Sequence, residues 1–203
     1  MSGRRLVLAT GNRGKIREIE DLLAGLSIDI LTQEDLDAWP ELVETGDTFE
    51  ENAAAKAKTL AAWAGTAALA DDSGLEVEAL GGAPGVVSAR YAGKQGDDAA
   101  NIARLLREME GIPAEERGAR FVCVLVLASP TGESVEIRDT CEGAITDAPR
   151  GEGGFGYDPV FAAAGRNRTM AELPLAEKNS ISHRGKALRR LRAMLEKGEP
   201  AWL

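Results

Sequence analysis

Adjacent carboxylates are the first residues of this chain with an obvious chemical use. Asp71 and Asp72 follow the apolar run Ala67-Ala68-Leu69-Ala70 and precede Ser73-Gly74. The run reads as a short buried strand and Ser73-Gly74 as a tight turn, which would set both acids at the strand's carboxyl end. Ligands of open α/β sheets sit at such ends. Two acids there are costly unless a cation or hydrogen-bond donors meet them. Two readings stand side by side: an oxygen-liganded magnesium site, or an Asx-turn capped by the aspartates. Glu44, Glu50 and Glu51 belong to the same acidic set. Magnesium asks for only one or two carboxylates, with waters and phosphates filling its other positions.

Three further sets have chemistry to offer. Thr10-Gly11-Asn12-Arg13-Gly14-Lys15 lies between an apolar strand pattern and a helical one. Glycines let backbone N–H groups approach a phosphate, and a helix N-terminus favours an anion. It is not a Walker A loop, because only two residues separate its glycines and Ile16 follows the lysine. A cationic set comprises Arg13, Lys15, Lys56, Lys178 and Arg184, with His183 beside the last. Each is either anion-binding charge or solvated surface. Finally, Phe155, Gly156, Tyr157 and Asp158 sit in the glycine-rich stretch from Arg150 to Pro159. Aromatic residues make up only 4% of the chain, so two in one loop suggest stacking on a ligand; the other reading is a core anchor beneath the loop.

The elements that must position these sets are legible from periodicity. Leu6 to Ala9 reads as a strand; a helix follows the glycine loop, with Ile16, Ile19, Leu22, Leu23 and Leu26 at helical spacing; Ile28 to Leu31 is a second strand. Thr48-Phe49-Glu50-Glu51 is a capping-box pattern opening a helix to about Trp63, on which Asn52 and Lys56 share a face. Glu76 to Leu80 alternates as if beginning a hairpin. Asp97-Asp98 starts a helix with Ile102, Leu105, Leu106 and Met109 buried. Phe121 to Leu127 is a central strand, paired across a turn with Ser134 to Thr140, and Val160-Phe161 is a short strand. Glu177 to Arg184 reads as a polar lead-in to a last helix burying Leu188, Leu191, Met194 and Leu195. The expectation is an α/β protein with a long mixed sheet and two lobes.

Composition narrows the partners. With 203 residues, 44% hydrophobic, the chain can bury a substantial core. A net charge of −9 argues against nucleic acid or an anionic membrane surface. One histidine excludes a multi-histidine metal centre, so any metal is a hard cation held by oxygens. Two cysteines, no signal-peptide core and no run of transmembrane length point to a reducing cytoplasm.

Six motifs in order carry a resemblance. They are Thr10-Gly11-Asn12-x-Gly14-Lys15; Glu44-Thr45-Gly46-x-Thr48-Phe49-Glu50-Glu51-Asn52-Ala53; Ala70-Asp71-Asp72-Ser73-Gly74-Leu75; Gly82-x-Pro84-Gly85-Val86-x-Ser88-Ala89-Arg90-Tyr91; Gly154-Phe155-Gly156-Tyr157-Asp158-Pro159; and Lys178-x-x-Ile181-Ser182-His183-Arg184-Gly185. Together, from about Leu6 to Leu195, the chain resembles the non-canonical purine nucleoside triphosphate pyrophosphatases, the inosine triphosphatase (Ham1/RdgB-like) family. The resemblance implies one such domain over 1–203: an elongated α/β fold, a long mixed sheet flanked by helices, two lobes with a central substrate cleft, and a homodimer. It implies Mg²⁺-dependent hydrolysis of ITP, dITP and XTP to the monophosphate and pyrophosphate.

The resemblance also implies roles. Thr10, Gly11, Asn12, Arg13, Gly14 and Lys15 bind the triphosphate, with Lys56 on the phosphate side. Asp72 accepts a proton from water and binds metal, and Ser73 contacts substrate. Phe155, Gly156, Tyr157, Asp158, Lys178, His183 and Arg184 form the nucleoside pocket. Family members often carry an acid three residues before the glycine matching Gly46; here that position is Val43, and Glu44 follows. Either Glu44 ligates the metal, or Asp72 and water hold it alone. Two other functions stand beside this one: a similar pyrophosphatase for modified pyrimidines, and a nucleotide-binding protein without turnover.

Overall fold

A computed structural model describes residues 4–203, so the first three positions of the expected 1–203 domain lie outside it. Its strands are β1 (Arg4–Leu8), β2 (Ile28–Leu31), β3 (Ala67–Val77), β4 (Gly118–Ala128), β5 (Ser134–Ile145) and β6 (Phe161–Ala163). They form one sheet in the order β2-β1-β3-β4-β5-β6. β1 runs parallel to both β2 and β3, with Leu6 opposite Ile30 and Ala67, whereas β5 and β6 are antiparallel. The sheet is therefore mixed and open, as expected.

The helices are α1 (Arg13–Leu23), α2 (Phe49–Ala64), α3 (Asp98–Glu108), α4 (Leu175–Ile181) and α5 (His183–Glu196). Parallel strands need a crossover, and α1 supplies it between β1 and β2. The capping box of α2 forms as written: Thr48 Oγ1 accepts from the Glu51 amide at 3.1 Å, and Glu51 Oε2 accepts from the Thr48 amide at 3.3 Å. Gly65, at φ +63°, ends the helix in the left-handed region. Among the described residues no helix is long and apolar enough to cross a membrane.

Four local expectations are corrected. The strand after Thr66 does not stop at the aspartates. β3 continues through Asp71, Asp72, Ser73 and Gly74 to Val77, because both acids are met by lysines and do not turn back on local main chain. The Asx-turn reading is thereby removed. Glu78–Leu80 is a 3₁₀ turn rather than hairpin strand, and β3 ends in a single bridge from Glu76 to Pro84. The glycine loop is shorter than expected. Asn12 caps α1 by accepting from the amides of Gly14 (2.9 Å) and Lys15 (3.1 Å), so Arg13 to Lys15 are already helical. The polar stretch from Glu177 to Arg184 is not a lead-in. It spans most of α4 and the start of α5, broken at Ser182, whose backbone is extended.

The chain partitions into two compact units. The first comprises the chain to Asp72 with Cys123–Asp139 and Gly185–Leu203; the second comprises Ser73–Val122 and Thr140–Arg184. In the first, Leu6, Leu8, Leu69, Cys123, Leu125 and Leu127 from the strands pack against Ile19 and Leu23 of α1 and Leu188, Leu191 and Leu195 of α5. In the second, Leu75, Val77, Phe121, Ile145 and Phe161 pack with Leu105 and Met109 from the α3 segment and with Tyr91 and Tyr157. Each unit thus has its own apolar core.

Candidate active site

In the first unit the expected acids and lysines converge. Lys56, on α2, is 6% exposed. Its Nζ donates to Glu44 Oε1 at 2.6 Å, to Asp72 Oδ1 at 2.7 Å and to the Asp71 carbonyl at 3.2 Å. Lys15, in the first turn of α1, donates to Asp71 Oδ1 at 2.6 Å and to the same Asp71 carbonyl at 3.1 Å. Both ammoniums therefore meet on one oxygen. The other Asp71 oxygen accepts from the thiol of Cys123 at 3.5 Å.

Sequence spacing explains part of this. The face of α2 that carries Lys56 also carries Asn52 one turn earlier, and Asn52 clamps the loop that bears Glu44. Its Oδ1 accepts from the Gly46 amide at 2.8 Å, and its Nδ2 donates to the Gly46 carbonyl at 3.3 Å. A Cβ on Gly46 would lie 2.6 Å from the Glu51 Cβ, so the close approach requires glycine. Val43 is 52% exposed, whereas Glu44 reaches Lys56. Of the two positions, Glu44 is the one that faces the cluster.

The electrostatics follow from burial. Burial opposes charge on Lys56, but the Asp72 and Glu44 carboxylates outweigh it and raise the ammonium's pKa. Burial dominates at Asp72 and lifts its carboxyl above the usual range; Lys56 pulls it down, and Glu44 repels it. The two directions are compatible because one ammonium is shared by two carboxylates. Among the described residues no three His, Cys, Asp or Glu side chains come together as a metal-binding group. The donor set nevertheless fits a hard cation, because two carboxylates already aim their oxygens at one cationic centre.

The loop before α1 is less concentrated. Thr10 Oγ1 accepts from the Asn12 amide at 3.1 Å, and the Asn12 side chain is occupied in capping. Arg13 extends to Glu34 at 3.5 Å with both side chains in solvent, so it does not join Lys15 and Lys56.

The second unit gathers a different set. Lys178 Nζ donates to Asp158 Oδ2 at 2.6 Å, both side chains being almost wholly buried. The same oxygen accepts from the Phe155 amide at 2.9 Å. The Lys178 ammonium and the Arg184 guanidinium lie 4.8 and 5.4 Å from the Phe155 ring centroid, within cation–π range. Arg184 also donates to Ser73 Oγ at 2.7 Å. His183 stacks on Phe121, with ring centroids 4.7 Å apart. Tyr157 is the core anchor, 4% exposed, its hydroxyl donating to the Ser88 carbonyl at 2.8 Å. So the two aromatics divide the two readings of their loop: Tyr157 is core, and half-buried Phe155 faces the cations.

Gly154 makes this loop possible. It sits at φ +72°, and a Cβ there would lie 2.0 Å from Asp158 Oδ2. The Gly156 amide donates to Asp98 Oδ2 at 2.7 Å. Sequence reasoning gave no site role to Asn52, Ser88 or Asp98. Asn52 was within reach, one turn from Lys56. Ser88 and Asp98 gave no signal, because they serve residues 69 and 58 positions away.

Known proteins resemble this chain over most of its length. The Ham1 family model matches residues 6–194. A dITP/XTP pyrophosphatase of Geobacter sulfurreducens is 54% identical over 184 residues, covering 91% of this chain and 92% of the relative. Among solved structures, a HAM1 protein from Coxiella burnetii superposes with a TM-score of 0.87 at 43% identity, covering 96% of this chain and 99% of that one. The Staphylococcus aureus Ham1 protein gives 0.86 at 40% identity, with 97% and 100% covered. The fold, the ordered motifs and the full-length matches agree: the chain belongs to the Ham1 family.

Proposed function

We propose that this protein hydrolyses non-canonical purine nucleoside triphosphates, dITP, XTP and ITP, to the monophosphate and pyrophosphate. The observation that carries the reading is the convergence of Glu44 and Asp72 on the buried Lys56, in a chain 54% identical to a dITP/XTP pyrophosphatase.

In the first unit, Lys15 and Lys56 offset phosphate charge, and the backbone from Thr10 to Lys15 approaches it at the start of α1. Glu44 and Asp72 would hold Mg²⁺, which when bound neutralises developing phosphate charge and lowers the pKa of water. Asp72 takes the proton of the attacking water. Burial lifts its pKa, which makes it a better proton acceptor than an ordinary aspartate.

In the second unit, Phe155 offers a ring face to the base, with Lys178, Arg184 and His183 around it. The amides of Phe155 and Gly156 already serve Asp158 and Asp98. Arg184, whose guanidinium carries five N–H donors and lies 5.4 Å from the Phe155 ring centroid, is the donor we assign to the purine 6-keto oxygen. The amino group of ATP would leave that donor unpaired, a mismatch that costs on the order of 10⁴ in discrimination. On the same reading the enzyme is a homodimer of a reducing cytoplasm, where the buried free thiols Cys123 and Cys141 stay reduced.

The test is pyrophosphate release from ITP, XTP, dTTP, GTP and ATP, with Mg²⁺ and with EDTA. Metal-dependent release from ITP and XTP, far above GTP and ATP, is expected. A preference for dTTP would overturn the purine reading, and binding of ITP without release would overturn the enzyme.

A further inference from the structure

We propose that Asp98 is a positioning residue for the loop carrying Phe155, acting through the Gly156 amide. The inference rests on the reading that this loop receives the nucleoside.

Asp98 opens α3, but the helix does not need its carboxylate as a cap. Asp97 does that work, its Oδ1 accepting from the Ala100 amide at 3.1 Å. The Asp98 side chain instead takes the Gly156 amide at 2.7 Å, across 58 residues of sequence. The first turn of a helix is a favourable place for that negative charge.

The loop's other ties come from buried groups. Phe155 is held through Asp158, itself locked to Lys178, and Tyr157 is held through its buried ring and the Ser88 carbonyl. Between them stands Gly156, at φ +59° and with no Cβ to restrict it. It is the residue about which the Phe155 ring could swing away from Lys178 and Arg184. The Asp98 bond fixes that joint from an exposed helix end, where substitution leaves the core untouched.

The experiment compares Asp98→Ala, Asp98→Asn and Phe155→Ala with the wild type, by ITP kinetics and by hydrogen exchange at the Gly156 amide. Asn keeps a side-chain oxygen acceptor; Ala does not. Asp98→Ala should raise KM for ITP about fivefold to tenfold, the scale of one lost hydrogen bond at an exposed site, with kcat within about twofold. It should speed exchange at Gly156, and Asp98→Asn should restore most of both. Phe155→Ala should raise KM more. A raised KM in Phe155→Ala with an unchanged KM in Asp98→Ala overturns the role of Asp98 alone. An unchanged KM in Phe155→Ala overturns the nucleoside reading and this role with it.

Discussion

In the first unit three carboxylates, Glu44, Asp71 and Asp72, face the two ammoniums of Lys15 and Lys56. In the second, the single carboxylate of Asp158 faces Lys178, and Arg184 adds a second cation beside Phe155. The first group sets two ammoniums among carboxylate oxygens, and the second sets an ammonium and a guanidinium beside an aromatic ring. On the proposed reading, that difference separates a place for metal and phosphate chemistry from a place for recognising the base.

The largest test of this contrast is Asp72→Asn. On the proposed mechanism it removes the base and one metal oxygen while keeping the shape, so kcat for ITP should fall by about 10² to 10⁴. Stability should hold. Burial raises the folded pKa of Asp72, so the fold favours its protonated form, a preference lost as pH rises through that pKa; a neutral amide costs little. Pyrophosphate release at saturating ITP, with a thermal melt, measures both. A near-normal rate would remove Asp72 from the chemistry.

Lys56→Met and Lys178→Met probe the two groups directly. Each takes the ammonium from a buried carboxylate and should cost about 3 kcal/mol in urea unfolding. Mg²⁺ should then tell them apart. It should raise the Tm of Lys56→Met more than that of the wild type, because Glu44 and Asp72 are left without their shared ammonium. For Lys178→Met the rise should equal that of the wild type. Equal shifts in all three proteins would end the distinction between the groups.

Gly154→Ala tests the second group alone. The added Cβ would strike Asp158 Oδ2 and strain a residue at φ +72°, so the loop must shift. KM for ITP should rise about tenfold while kcat changes little, since on the proposed reading the displaced groups bind the base and not the reacting phosphate. A comparable loss in kcat would place this loop in the chemical step.

The smallest effect is spectroscopic. The chain has two tyrosines, Tyr91 and Tyr157, both in the second unit. Burial, then the hydrogen bond to Glu108, pushes Tyr91 up to about 12; burial also raises Tyr157. A pKa raised by folding favours the protonated phenol. The stability it contributes is complete below pH about 10 and is lost as pH rises toward 12. Ultraviolet titration should show no tyrosinate near pH 10 in the folded protein. A normal transition there would mean the aromatic side of the second core is open to solvent.

Much of the molecule is set by local sequence. Apolar periodicity places β1, α1, β2, α3, β4 and α5, because one face of each must leave water. Thr48 and Glu51 start α2, because a capping box is satisfied within four residues. The ordered motifs identify the family and most of the candidate site. What sequence left open was settled by long-range contacts. β3 runs through Asp71 and Asp72 only because Lys15 and Lys56, 56 and 16 residues away, neutralise them. Local chemistry alone would make Asp-Asp-Ser-Gly a turn. The ion pair of Glu44 with Lys56, the use of Tyr157 as core and Phe155 as a cation-facing ring, and the reach of Asp98 to Gly156 are of the same kind. Each depends on a partner brought close by folding, and the interaction of two charges or of a donor with an acceptor depends on distance in space, which the order of residues does not record.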